Sequence, residues 1–211
     1  MRVTIENVVD DDTTERFLAL YRAAFDPLEG VAAARQSLTD DEFRDEMRLE
    51  SVLKFIGWDR RERPVAMVVI NTDLDSVPWV SPAFWRRRYP EQAERGAIYY
   101  FGALLVSPDV RGGPWAHRML AETVRHTARN HAVAAFDCCQ HNVDEVQLPR
   151  MIAEVARSLS YVDAEQVDSQ AYFAYVTHGL RDEVDLRDEP VPHEQNVSTS
   201  AATVATDVTG Q

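Results

Sequence analysis

The chain has 211 residues, of which 35 are acidic and 22 basic, and its formal net charge is −13 at pH 7. Hydrophobic residues make up 45% of the sequence, enough to bury one substantial core. The negative charge disfavours nucleic-acid partners, and no run approaches the roughly 20 apolar residues of a membrane helix. Residues 1–12 lack the basic and apolar regions of a secretory signal. We therefore expect a cytoplasmic protein with no membrane or nucleic-acid partner.

The first half of the chain predicts a strand, two helices and two further strands. Alternating apolar residues indicate a strand over 1–9. A helix with one apolar face follows and ends or breaks at Pro27 and Gly30. Thr39 and Glu42 have the spacing of a capping box, which predicts that a second helix begins there. Two strands, 52–59 and 63–72, then flank a turn.

An insertion and an alternation of strands and helices make up the second half. The insertion covers 74–96, and Ser81-Pro82 within it predicts the start of a short helix. The apolar run 97–106 is typical of a strand at the middle of a sheet. The other predicted elements are a helix over 115–129, a strand over 132–139, a helix over 149–159 and a strand over 170–178. This order indicates an α/β or α+β fold with a mixed central sheet flanked by helices.

The last 30 residues differ in composition from the rest. Residues 182–211 contain seven acidic residues and one basic residue, and after Pro190 they contain no aromatic residue. Such a segment buries too little apolar surface to offset the entropy of ordering. We predict one domain over 1–181 and a disordered acidic tail over 182–211, either a solvated extension or a partner-binding segment.

The segment after the central strand, 107–116, predicts a binding site for an anion. Gly112 and Gly113 allow the backbone to come close to a ligand, and Arg111 adds positive charge. The helix that follows presents unpaired N–H groups at its first turn, which suits a pyrophosphate. The spacing fits neither a Walker loop nor the G-x-G-x-x-G of dinucleotide folds. An ordinary strand-to-helix turn remains the alternative.

The segment YYFGALLVSPDVRGGPWAHRMLAETV resembles the acyl-CoA-binding core of the GCN-related N-acyltransferases, the GNAT superfamily. That family has a loop of the form Arg/Gln-x-x-Gly-x-Gly/Ala, in which Arg111 fills the first position and Ala116 the last. Pro114 stands where the family usually has the central glycine, and a proline lacks the amide donor. The resemblance implies acetyl-CoA or another acyl-CoA as donor and a GNAT-like fold. It assigns the donor to Leu105, Val106, Arg111, Gly112, Gly113, Trp115 and Ala116.

The insertion is similar to the corresponding segment of long-chain N-acyl amino acid synthases and, more distantly, of acyl-homoserine-lactone synthases. Enzymes of that kind can take the acyl group from acyl carrier protein, which is acidic. The basic run of Arg86 to Arg88 would attract such a partner, or it is simply a solvated face of a short helix. The aromatic residues of the insertion would line an acyl tunnel or pack it against the domain. They are Trp79, Phe84, Trp85 and Tyr89.

Catalytic candidates follow from the needs of acyl transfer, namely a base, a donor to the carbonyl oxygen and an acid for the thiolate. Tyr161 lies near the position where the family often has a tyrosine that serves as this acid. Tyr99 and Tyr100 alternate along the central strand, so one of them faces the cleft as a candidate base. Asp137 follows the neighbouring strand, where open sheets bind ligands, and His141 lies close by. Each can instead be a satisfied polar residue, with water as the proton path.

Cysteine and histidine residues give weaker signals. Cys138 and Cys139 are adjacent and are the only cysteines, so no disulfide framework is expected. Their apolar strand favours a structural role over a nucleophilic one. His126 and His131 lack the partners of a zinc site, and we predict no metal.

The resemblance therefore implies an acyl-CoA-dependent N-acyltransferase that moves an acyl group, with acetyl as the expected one, to a small-molecule amine. Two alternatives stay open. One is a long-chain enzyme served by acyl carrier protein, and the other is a GNAT-fold ligand-binding protein without catalysis. The family resemblance also implies pairing of copies into a homodimer.

Overall fold

The computed structural model describes residues 2–177 of the chain. These residues divide into two units, 2–169 and 170–177. The predicted tail over 182–211 lies outside the described residues. Among the residues that are described, no helix has both the length and the apolar character needed to cross a membrane.

Within residues 2–177 the chain forms five strands and seven α-helices. The strands are β1 (Arg2–Glu6), β2 (Val52–Trp58), β3 (Pro64–Asn71), β4 (Ile98–Val106) and β5 (Val133–Ala135). The helices are α1 (Asp11–Phe25), α2 (Asp40–Arg48), α3 (Pro82–Arg88), α4 (Pro90–Glu94), α5 (Trp115–Arg129), α6 (Gln140–Asp144) and α7 (Leu148–Leu159). The predicted α/β class is confirmed.

The strands form one mixed sheet in the order β1-β2-β3-β4-β5. The first three pairings are antiparallel, and β4 pairs with β5 in parallel. Consecutive strands are therefore neighbours throughout the sheet. The parallel connection from β4 to β5 runs through α5, which is the usual way to join parallel strands.

Helices cover both faces of the sheet because the strands alternate apolar side chains between the faces. In β3, Met67 and Val69 pack with α1 and α2, while Ala66 and Val68 pack on the opposite face, where α5 lies. Helix α7 forms an outer layer by packing Val155 against α5. The central strands are consequently buried on both faces.

Local signals explain where α2 begins. The Thr39 hydroxyl accepts a hydrogen bond of 3.3 Å from the Glu42 amide, and the Glu42 carboxylate accepts one of 2.7 Å from the Thr39 amide. The predicted capping box is therefore present and satisfies two of the amide donors that a helix start leaves free.

The structure differs from the predicted elements in four places, and one of them is helix α6, which the sequence did not predict. The strand predicted over 170–178 is wrong, because residues 170–177 form neither helix nor strand and residue 178 lies outside the described residues. Its aromatic pattern gives strand propensity, but a strand forms only where a neighbour takes up its backbone hydrogen bonds. β5 is three residues long instead of the predicted 132–139, and the insertion forms two short helices, α3 and α4, instead of one.

Candidate functional site

A β-bulge at Gly102 interrupts β4 in the middle of the sheet. Ile70 of β3 pairs with Phe101 and Val69 pairs with Ala103, so Gly102 has no partner in the register. A bulge of this kind bends its strand and increases the local twist. The bend falls at an exposed glycine in an otherwise apolar strand.

The pairing between β4 and β5 ends beside this bulge. Its last register pair is Tyr100 with Ala135, yet β4 continues to Val106. Within the described residues, the edge of β4 from Phe101 to Val106 that faces away from β3 therefore lacks a paired strand. The Leu105 side chain is buried in the core, so that residue can meet a ligand only through its backbone. The free edge can bind an extended ligand that carries amide groups.

The loop over 107–114 leads from this edge to α5. Gly112 adopts a positive φ of 81°, a conformation that favours glycine. The Gly113 amide donates to the Val110 carbonyl oxygen over 3.2 Å and so closes a tight turn. Pro114 is the N-cap residue of α5, and no side chain in the described part of the chain caps the helix. The first amides of α5 are therefore left for water or an anion.

Trp115 fixes the start of α5 on the sheet. Its side chain is buried, and a methyl group placed on Gly57 of β2 would lie only 2.6 Å from Trp115 Cζ3. Trp115 can thus contribute its backbone, but not its ring, to a ligand at the loop. Arg111 is exposed on the same loop, where its guanidinium can reach an anionic ligand.

Two of the predicted catalytic residues meet where the strand pairing ends. The Tyr100 hydroxyl donates to Asp137 Oδ1 over 2.5 Å, and Asp137 is exposed while Tyr100 is buried. Burial raises the pKa of Tyr100 well above its ordinary value, and the hydrogen bond to Asp137 and its charge add to this rise. At neutral pH the phenol is therefore a hydrogen-bond donor and not a base.

The other candidates lie elsewhere or are less reactive. Tyr99 faces α5, where its ring centroid lies 5.9 Å from that of His126. Tyr161 follows α7 with its side chain fully exposed. Burial raises the pKa of Cys138, which keeps it a thiol at neutral pH. His141 lies in α6. Among residues 2–177 no group of three or more acidic, histidine or cysteine side chains is arranged to hold a metal.

The insertion covers the same part of the sheet. Trp85 of α3 and Tyr89 pack against a cluster that includes Ile98 and Tyr100. The Tyr89 hydroxyl also donates to Glu165 over 3.0 Å. The insertion therefore packs next to the Tyr100–Asp137 pair.

Acidic partners already engage two of the three arginines in the basic run. Arg86 forms an ion pair with Asp75, and Arg88 pairs with Glu165 over 2.8 Å. Arg87 lies on the exposed surface of the same helix. The positive charge that Arg86 to Arg88 can offer to a partner is consequently reduced.

Sequence reasoning missed Glu46, which the structure places beside the bulge. A methyl group built on Gly102 would lie 3.6 Å from Glu46 Oε1. Burial raises the pKa of Glu46 to about 7. The available signal was its helical position, because Glu46 lies three residues after Phe43 and one before Met47, at the border of the buried face of α2.

No protein-family model matches this chain, and no curated protein matches it significantly in sequence. Solved structures with a similar fold include the tetramutant of the BH1408 protein from Bacillus halodurans. That match has 14% identity and a TM-score of 0.49 and covers 82% of this chain and 100% of the other. Another is the ribosomal-protein-alanine N-acetyltransferase from Brucella melitensis biovar Abortus 2308, with 12% identity, a TM-score of 0.47 and coverage of 83% and 100%.

A third similar structure is the aminoglycoside 6′-N-acetyltransferase AAC(6′)-IG from Acinetobacter haemolyticus. It has 14% identity and a TM-score of 0.44, and the match covers 84% of this chain and 99% of the other. All three TM-scores are below 0.5.

Proposed function

We propose that this chain is an N-acyltransferase of the GNAT type, which transfers an acyl group from acyl-CoA to a small-molecule amine. One observation carries the proposal: the free edge of β4 begins at the Gly102 bulge and leads directly to the uncapped start of α5. An acyl-CoA has matching parts in the same order, namely a thioester, a pantetheine arm with amide groups, and a pyrophosphate. The free edge over 101–106 spans about 17 Å at ~3.3 Å per residue.

The pyrophosphate would bind at the loop between β4 and α5. Backbone amides at Trp115 and Ala116 point out of the uncapped first turn, whose dipole favours an anion. Gly112 leaves room for a close approach, because no atom of residues 2–177 lies within 4 Å of the position a methyl group would take there. Arg111 would add a charge-assisted hydrogen bond. Pro114 lacks an amide donor, so these groups have to supply the binding.

The thioester end would lie beside Tyr100 and Asp137. The attack of an amine on a thioester carbonyl carbon forms a C–N bond and breaks the C–S bond, while negative charge develops on the carbonyl oxygen. A backbone N–H at the start of the free edge, beside the Gly102 bulge, would stabilise that oxygen. Leu105 and Val106 lie farther along the edge, where their backbone would pair with the pantetheine arm. The Tyr100–Asp137 hydrogen bond supports a role for this pair in proton transfer, since a protonated phenol and an exposed carboxylate lie together.

Calorimetric titration of the full chain with CoA and acetyl-CoA tests the proposal. Arg111→Ala should weaken binding about 10- to 100-fold, the value of a hydrogen bond between charged groups. Arg150→Ala is the matched control, because Arg150 is an exposed arginine of α7 that forms an ion pair with its helical neighbour Glu154. Equal affinity of wild type and Arg111→Ala would contradict the loop assignment. Binding without transfer to any amine would favour the non-catalytic alternative.

Acyl carrier protein is the second candidate donor. Trp79, Phe84 and Arg87 are exposed residues of the same insertion, which would offer a partner both apolar and positive surface. Arg87→Glu should then lower the rate with acyl carrier protein and leave the rate with acyl-CoA unchanged. Equal effects on the two donors would contradict docking at this surface.

A further inference from the structure

Glu46 is an acidic side chain that the proposed transfer has not yet used. It projects from α2 toward the bulge, and Gly102, its neighbour there, is exposed. Glu46 itself is half-buried, so part of its side chain remains exposed to solvent. The bulge is also the point from which the free edge of β4 starts. Glu46 is therefore close to the end of the edge where the thioester would lie.

Among residues 2–177 the Glu46 carboxylate has neither a hydrogen-bond donor nor an ion-pair partner. The charge that acts on it is that of Lys54 of β2, whose side chain is fully buried. Its ammonium group donates instead to the carbonyl oxygens of Asn7, at 2.7 Å, and Leu49, at 2.8 Å. A half-buried carboxylate without a partner is unfavourable for folding, which indicates a role in binding or catalysis.

The electrostatic surroundings give this carboxylate the properties of a base near neutral pH. Burial raises its pKa to about 7, and the charge of Lys54 partly opposes the rise. Two titratable groups on the surrounding elements interact with it, Lys54 from β2 and Tyr21 from α1. Burial raises the pKa of Tyr21 to about 12, so this phenol stays neutral and only Lys54 carries a charge.

We propose that Glu46 is the general base that prepares the acceptor amine, a role that rests on the proposed acyl transfer. The Glu46 carboxylate takes one proton from the ammonium form of the acceptor. The neutral amine then attacks the thioester carbonyl carbon, the C–N bond forms, and the C–S bond breaks. The second amine proton passes to the leaving thiolate, and Glu46 returns its proton to water. The acceptor is accordingly a primary amine that is cationic in solution and binds on the α2 side of the bulge.

Acetyl transfer from acetyl-CoA to 1,4-diaminobutane, phenethylamine and an alanine-ended peptide tests this role, with released thiol as the readout. The full chain is compared with Glu46→Gln and with Asp45→Asn, an exposed neighbour on the same helix. Glu46→Gln should lower kcat at least 100-fold, the usual value of general base catalysis. It should also abolish the rise in rate through about pH 7 and leave the calorimetric affinity for CoA unchanged. Asp45→Asn should behave as wild type.

A Glu46→Gln protein that keeps the wild-type rate and pH profile would overturn the role of Glu46 but leave the proposed function intact. A wild-type chain that binds no CoA would overturn the proposed function, and this proposal with it. If the wild-type chain binds CoA but none of the three amines causes release of thiol from acetyl-CoA, the assigned acceptor class is overturned.

Discussion

The Tyr100 hydroxyl lies 2.5 Å from Asp137 Oδ1, and this hydrogen bond joins β4 to the chain beyond β5 just where their pairing ends. It links a buried donor to an exposed acceptor. The last part of the sheet before the free edge is therefore fixed by a side-chain contact as well as by the backbone. A substrate at the start of the free edge would meet a preorganised polar pair.

Removing the Tyr100 hydroxyl should affect both activity and stability. Tyr100→Phe leaves Asp137 without its donor, and the free energy of unfolding should fall by about 1.5–3 kcal/mol, the range for hydrogen bonds to charged groups. If the pair takes part in proton transfer, kcat should fall by about 100-fold. Urea unfolding and steady-state acyl transfer measure the two effects. Tyr99→Phe is the control, since that ring faces α5. Equal acyl-transfer rates for the two variants would contradict a role of the Tyr100–Asp137 pair in proton transfer.

Packing at Gly57 should prove essential for the position of α5. Gly57→Ala would place a methyl group 2.6 Å from the buried ring of Trp115, which forces the ring or the helix to move. Overpacking of this kind costs about 1–3 kcal/mol. Thermal unfolding measures the loss, and CoA affinity should fall as well because Trp115 begins the helix. Gly30→Ala is the control, because no atom of residues 2–177 lies within 4 Å of the methyl group it would add, and it should leave the melting temperature nearly unchanged. An unchanged melting temperature for Gly57→Ala would refute the packing argument.

Much of the fold was predictable because it depends on local signals. The capping box of Thr39 and Glu42 marks the start of α2, and the apolar stripe of α5 marks its full length, Trp115–Arg129. The length of β5 was not predictable, because an apolar run does not show how far its neighbour stays in register. The prediction of a strand over 170–178 was wrong for a related reason. The composition of that segment favours a strand, but it does not show whether a neighbouring strand is there to pair with it.

The candidate site was predictable only in part. Tyr100 and Asp137 were both predicted as catalytic residues, but their hydrogen bond depends on how two distant segments meet. The bulge had a sequence signal, because an isolated glycine within a strand often marks one, and Gly102 is the only glycine in the run 97–106. Glu46 gave no comparable signal, because its pKa depends on burial by elements that are distant in sequence.

Gly102→Ala should change the pH dependence of the reaction and leave the fold intact. The added methyl group would lie 3.6 Å from Glu46 Oε1 and 3.7 Å from the Val69 side chain, which are ordinary contact distances. It would displace water from the Glu46 carboxylate, and such desolvation raises the pKa of an acid further. The rise in acyl-transfer rate with pH should then move to higher pH than in wild type. A rate profile that matches wild type would count against Glu46 as the base.

Glu46 should also leave a signature in the pH dependence of stability. Its pKa of about 7 in the folded chain is above the ordinary value of 4.5, so the folded state holds the proton more tightly. The resulting stabilisation is complete below pH 4.5 and is lost as pH rises through about 7. Urea unfolding of wild type and Glu46→Gln between pH 4 and 8 measures this, and wild type should lose stability relative to the variant. If the free energies of unfolding of wild type and Glu46→Gln change with pH in the same way, the raised pKa of Glu46 is contradicted.

Backbone amide chemical shifts of the full chain, followed by NMR as CoA is added, test the central claim most directly. The account predicts the largest shifts in the loop and first turn of α5, at Gly112, Gly113, Trp115 and Ala116, and smaller shifts along 101–106. Saturation should occur at the concentration found by calorimetry. Shifts confined to other parts of the chain, or no shifts at any CoA concentration, would contradict an acyl-CoA site at the free edge of β4.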